Sequence, residues 1–224
     1  MTMRIRIDWI VADTLEWIDG VRTYIEEIEV AVRDIFFRKA EEQKLLAKEL
    51  GWDADTYHAE SQNLERKYNY WLRQTFTYSV ITVLHMIVET RLTALSRSLG
   101  KRLKKKLNIN DIGGSAVDKN KTYLGKVIEL NIFNDTAWEH LKNLQKIRDI
   151  IVHRHGAQGQ DKKEVSRLII YYKGGLTLNG KPDDDESEIV VSIGQCKDFV
   201  GIIEDFFKRL FDMAGLSHGV SLEH

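Results

Sequence analysis

Residues 138–153, WEHLKNLQKIRDIIVH, decide the reading of this chain. At 3.6 residues per turn, Trp138, Leu141, Leu144, Ile147, Ile151 and Val152 fall on one apolar arc, and Glu139, Lys142, Lys146, Asp149 and His153 on the opposite polar arc. The pattern predicts an amphipathic helix, capped by Asn134 or Asp135 and running to about His153, with Gly156 as its stop. Arg148 breaks the division, because it sits near the middle of the apolar arc between Leu144, Ile151 and Val152. A charge on a core-facing stripe is costly without a carboxylate partner, a phosphate or a subunit boundary beside it. His153 lies five residues on, roughly 140° around an ideal helix, yet two long side chains can converge on one cleft at the arc's edge. Asp149, four residues before His153 on the same face, is placed to orient the imidazole. The helix dipole alone favours cations such as His153, Arg154 and His155 at a C-terminus, but it does not account for Arg148.

Working outward, Ile10 to Leu50 is helical, with Trp17, Val21, Tyr24, Ile25, Ile28, Val32, Ile35 and Phe36 at three- and four-residue steps and Gly20 as a possible early break. Gly51 is a stop, and Asp53 or Asp55 a cap for a second long helical stretch, Ala54 to about Leu103. Its half from Tyr78 to Leu99 is apolar on most sides and belongs in the core. Asp118 is a candidate cap for a short helix to about Leu130. Beyond His153 the pattern changes. Val165 to Tyr172 and Glu188 to Ile193 are β-branched and aromatic runs separated by Gly-, Asn- and Pro-containing turns, which predicts a hairpin or three-stranded meander. Asp183 to Glu188 reads as a solvated loop. A last helix from about Gln195 to Ala214 carries Phe199, Ile202, Ile203, Phe206, Leu210 and Phe211 on one side. The expected architecture is mainly α: one domain over 1–221, an up-and-down helical bundle with a β insertion at about 165–193 before its final helix. Leu222-Glu223-His224 reads as an expression-tag remnant.

The segment Arg148-Asp149-Ile150-Ile151-Val152-His153 resembles the Arg-x4-His signature of the HEPN superfamily (higher eukaryotes and prokaryotes nucleotide-binding domain). The resemblance extends to the helical layout, with the motif at the end of a late helix. It implies a bundle of about four to five helices that dimerises so that two motifs face one cleft. It further implies either a metal-independent endoribonuclease of the toxin–antitoxin or phage-defence kind, or a non-catalytic module that binds a nucleotide or a protein partner. Asn commonly follows the Arg in this family; here Asp149 stands in its place, and its charge opposes RNA phosphate. In the apolar helix, Thr82, His85, Glu89, Thr93 and Ser96 share one stripe. Glu89 resembles the acidic position that many members carry facing the motif, so a buried Glu89–Arg148 pair is expected, against the alternative that Glu89 begins an exposed face. His85 reads as a hydrogen-bonded core histidine. As a ribonuclease, His153 would serve as general base or acid on RNA, Arg148 would hold the scissile phosphate, Asp149 would orient His153 and Glu89 would hold Arg148. An antitoxin partner fits the toxin form.

Composition bounds the alternatives. The chain has 224 residues, 43% hydrophobic and 30% charged, with 33 Lys+Arg against 34 Asp+Glu. That is a globular composition and neither a disordered chain nor a generally basic nucleic-acid coat. A single Pro favours long helices. The lone Cys196 forms no internal disulfide and reads as a buried thiol. The first residues lack a signal-peptide pattern, and no uncharged apolar run reaches the ~18 residues of a membrane span, so a cytoplasmic protein without a membrane partner is expected. No phosphate-binding Gly-rich loop or zinc spacing is present, and neither metal nor cofactor is expected. The cations Lys101, Arg102, Lys104, Lys105 and Lys106, with Arg154 and His155, are candidate RNA-phosphate contacts, although a charge run is also an ordinary solvated helix end. Tyr171, Tyr172 and Lys173 could stack on bases, or Tyr171 and Tyr172 could be half-buried strand aromatics.

Overall fold

A computed structural model describes residues 8–132 and 135–216. The expected cap Asn134, the first seven residues and the expected tag at 222–224 lie outside the described residues. The protein is mainly helical, with one two-stranded antiparallel hairpin among the described residues. In chain order the elements are α1 (Trp9–Leu50), α2 (Ala54–Glu65), a π-helical segment (Arg66–Leu72) and α3 (Arg73–Arg102). There follow α4 (Ala116–Thr122), a second π-helical segment (Tyr123–Val127), α5 (Ala137–Arg154), α6 (Lys162–Tyr171), β1 (Leu176–Asn179), β2 (Glu188–Val191) and α7 (Ile193–Met213). They divide into two compact units, one holding residues up to 22, 81–155 and from 197, the other 23–80 and 156–196.

The first unit carries the candidate site. Val11, Thr14, Ile18 and Val21 are the buried stripe of the α1 start, at helical spacing. Trp17, expected on that stripe, is exposed beside it, with the Arg91 guanidinium 5.6 Å from its ring centre. Gly20 does not interrupt α1. Trp138 anchors α5: its indole N–H donates to the Ile132 carbonyl at 3.0 Å and its ring meets Phe206 of α7 edge-on at 4.8 Å. Phe206, Phe207, Leu210 and Phe211 are fully buried on α7. Ser115, not Asp118, caps α4, its hydroxyl accepting from the Asp118 N–H at 3.2 Å. Asp118 instead pairs with Lys142 of α5 at 2.6 Å. Thr136, without a side-chain cap bond, is the N-cap of α5 in place of the expected Asp135, whose carboxylate still accepts from the Ala137 N–H at 2.9 Å while both of its oxygens pair with Arg209.

In the second unit, α1 and α2 form a helical hairpin closed at Gly51, whose φ of 61° is the left-handed turn glycine favours. Asp53 caps α2 as expected, accepting from the Thr56 N–H at 2.8 Å. The predicted strand Val165–Tyr172 is instead α6. Its β-branched residues suggested a strand, but Val165, Leu168 and Tyr172 are the buried positions, a helical spacing that lets one face pack while Ile170 stays exposed. Glu164 and Arg167 add an ion pair one turn apart at 2.8 Å. The hairpin is therefore β1 and β2 alone, in register from Leu176↔Val191 to Asn179↔Glu188, with the acidic loop exposed between them. Tyr78 of α3 clasps it: its hydroxyl donates to the Ile189 carbonyl at 2.5 Å and accepts from Gln74 at 2.7 Å. Gly156 lies under the same hydroxyl, where a Cβ would come within 2.0 Å of it, and its carbonyl accepts from the Ile189 N–H at 2.9 Å.

By length and composition alone, Ala54–Arg102 is a helix able to cross a membrane, with half of its most apolar window buried inside the protein. Cys196 is fully buried and its thiol is pushed up to about 12 by burial, an inert state at neutral pH.

Gly156→Ala tests the clasp. It combines a positive φ with a clash on the Tyr78 ring, and it should cost about 2–4 kcal/mol, read as a lower urea midpoint at unchanged slope.

Candidate functional site

Two helices of the first unit build the site. On α3, Thr82, His85, Glu89, Thr93 and Ser96 form the predicted polar stripe. Its lower end is structural: Ser96 donates to buried Asn120 at 2.7 Å, and Asn120 donates to Thr93 at 3.1 Å and to the Ala116 carbonyl at 2.8 Å. Its upper end meets α5. Trp138, Leu141, Leu144, Ile147 and Ile151 are buried as expected, and Ile150 joins them. Val152, expected in the arc, is 42% exposed, because the packed face ends one turn before the helix does.

Arg148 is neither fully buried nor paired with Glu89. Its side chain is 30% exposed and its guanidinium donates to Asp149 at 2.8 Å. The expected buried Glu89–Arg148 pair is thus corrected: Glu89 is exposed on α3, and the side chain it approaches is His85, 3.9 Å from Nδ1 one helical turn away. The half-exposed neighbour meets the charge requirement of Arg148 without burying a second carboxylate, a cheaper solution than a desolvated pair. Asp149 is engaged with Arg148 and does not hold His153, correcting the expected Asp149–His153 bond. His153 is exposed and makes no side-chain hydrogen bond among the described residues. The α5 C-terminus closes as anticipated from its cationic end: His155 takes the left-handed cap conformation and its N–H donates to the Ile150 carbonyl.

The member of this constellation that sequence reasoning placed on the stripe but gave only a structural role is His85. It is 5% exposed, and its Nε2 is buried without a hydrogen-bond partner, as is the Nε of Arg148. It is therefore not the satisfied core histidine expected. Burial pushes its pKa below the usual histidine value. Glu89 pulls it back, the Arg148 cation depresses it further and Asp149 opposes. Those influences place His85, Glu89, Arg148 and Asp149 in one electrostatic neighbourhood. The available signal was its position four residues before Glu89 on the same stripe. Chemically the cluster offers a guanidinium with an unused donor and a neutral imidazole with an unused nitrogen, while exposed His153 follows five residues further along α5. This donor set suits an oxyanion. Among the described residues, no group of three or more His, Cys, Asp or Glu side chains could hold a metal.

The remaining expected contacts lie apart in kind. Lys101 and Arg102 end α3, and Lys104, Lys105 and Lys106 follow it around a cavity of their own. Tyr171 and Tyr172 sit at the end of α6 rather than on a strand, packed edge-on at 4.8 Å.

No protein-family model matches the chain, and no curated protein or solved structure is detectably similar to it.

Two measurements follow from this geometry. Above about pH 6.5 His85 is neutral folded or unfolded and contributes no pH dependence. Below it the unfolded chain binds a proton that the folded protein resists, so stability falls with pH at up to about 1.4 kcal/mol per unit. His85→Gln should flatten that slope below about pH 6.5 in denaturation curves, with half-buried His140, also depressed, present in both proteins. Arg148→Ala should cost only about 1 kcal/mol, because its partner is half-exposed; a loss of about 3–5 kcal/mol would require a buried pair.

Proposed function

We propose that this chain is a HEPN-like, metal-independent endoribonuclease of the kind used as toxins or phage-defence effectors. The observation that carries the reading is the pair of unpartnered buried nitrogens, Arg148 Nε and His85 Nε2, beside the Arg-x4-His segment. Buried polar atoms without partners are uncommon in folded proteins, and a bound oxyanion is a partner that suits the Arg148 donor. In this reading Arg148 binds the scissile phosphate and offsets charge on its oxygens. The 2′-hydroxyl oxygen attacks phosphorus and the bond from phosphorus to the 5′-oxygen breaks, leaving a 2′,3′-cyclic phosphate and a 5′-hydroxyl. His153 removes the 2′-hydroxyl proton or protonates the leaving oxygen, and two copies in a homodimer supply both roles. Support for a shared cleft comes from Met86 and Val152, which adjoin His85 and His153 in sequence and are 47% and 42% exposed. Asp149 sets the Arg148 guanidinium rather than the imidazole. Glu89 acts on His85 and not on Arg148. DNA lacks the attacking hydroxyl and would resist.

The second reading is a non-catalytic HEPN-like module that binds a nucleotide or a protein partner. The lack of any side-chain partner for His153 favours it, since a general base is ordinarily oriented by a third group. One assay separates the two. Purified protein with single-stranded RNA in excess EDTA should yield cyclic-phosphate ends, and His153→Ala and Arg148→Ala should each reduce the rate at least about 100-fold with the fold retained by circular dichroism. Intact RNA with the wild-type protein across several substrates favours the binding module.

A further inference from the structure

After α3 the chain folds back on itself and encloses a cavity of about 600 Å³ lined by Arg97, Lys101, Lys104, Lys105 and Lys106, with Tyr123 at its floor. The enclosure is preorganised. Tyr123 is 2% exposed and its hydroxyl donates to the Leu107 carbonyl at 3.0 Å. Gly100 lets that hydroxyl approach, since a Cβ there would lie 2.1 Å from it. The next turn is locked by Asn108 and Asp111, whose side chains cap each other's backbone, and Arg97 donates to Asn110 at 3.3 Å.

Charge in the cavity is unbalanced. Lys105 pairs with Glu129 at 3.2 Å, and no carboxylate is among the described residues that line the cavity. Lys101, Lys104 and Lys106 make no ion pair among the described residues. The helix dipole accounts for Lys101, in the last turn of α3, but not for cations beyond the helix end. Lys104 is the telling position. Its φ is 50°, and the flanking bonds, Lys105 N–H to Gly100 O at 2.9 Å and Lys104 N–H to Lys101 O at 3.2 Å, form the helix-ending turn that glycine normally completes. A side chain that strains its own backbone to join other cations is a functional signal.

We propose that this cavity is a binding site for consecutive phosphate groups of a polyanion, a free oligophosphate or a single-stranded nucleic-acid backbone. Three unpaired lysines on a fixed turn match closely spaced phosphates, and binding relieves their mutual repulsion. The site is separate from the Arg148 and His153 chemistry.

The experiment uses the full chain and two probes that the chain cannot cleave by 2′-hydroxyl attack: inorganic tripolyphosphate by calorimetry, and a fluorescent 2′-O-methyl oligouridylate by anisotropy across a salt series. The triple variant Lys101→Gln/Lys104→Gln/Lys106→Gln should weaken binding at least about 10-fold and reduce the oligonucleotide's salt slope by about 2. Lys104→Gly should weaken binding while leaving the melting temperature unchanged or raised, the opposite of what a structural lysine would do. Loss for one probe alone upholds the site and identifies its source of phosphate. Equal affinity of wild type and triple variant for both probes overturns the proposal. Because neither probe is a ribonuclease substrate, a chain without RNA cleavage gives the same result and the two readings fail separately.

Discussion

An imidazole buried without a partner for its outer nitrogen is an unstable bargain for a protein, and the site depends on how this one is held. Desolvation keeps His85 neutral, the nearby guanidinium of Arg148 keeps it so, and the carboxylates of Glu89 and Asp149 stop short of charging it. A protonated His85 beside Arg148 would put two cations at the edge of an apolar core. The polar stripe on α3 and the anomalous arginine on α5 are therefore one feature, joined through a residue that belongs to neither half of the Arg-x4-His motif.

That arrangement explains why the arginine is tolerated on a packed helix face. Arg148 keeps part of its guanidinium in solvent and takes its countercharge from the next residue, so no second charge is desolvated. The same economy leaves His153 without an orienting group, and this is where the catalytic and the binding-module readings diverge. A second protomer placed over exposed Val152, which precedes His153 in sequence, would change the surroundings of that imidazole.

Lys104 and His155, two of the three described non-glycine residues with positive φ (the third is Glu129), show how local strain is distributed. Both end helices in the left-handed conformation, but only His155 is followed by a glycine, Gly156, which the Tyr78 hydroxyl packs against. At Lys104 the strain accompanies a cluster of like charges instead of a packing contact.

Much of the fold was legible because it rests on local rules. A near absence of Pro, long 3.6-residue periodicity, Asp53 as a cap and the apolar faces of α5 and α7 all follow from backbone geometry and one-sided burial, which a sequence displays directly. The anomaly of Arg148 was legible for the same reason. Three things were not. The segment Val165–Tyr172 has strand composition but helical burial, and only the packing of Val165, Leu168 and Tyr172 selects the helix. The partner of Arg148 was expected to be Glu89, and solvent access chose Asp149, which was expected to orient His153. The role of His85 depends on which helices meet around it, since a histidine on an apolar stripe reads the same whether its nitrogens are satisfied or bare. Sequence by itself determined the helices and the residue that does not fit them. Tertiary structure decided which of the available charges pair, Arg148 with adjacent Asp149 rather than with Glu89, because residues distant along the chain set what is desolvated and what stays in solvent.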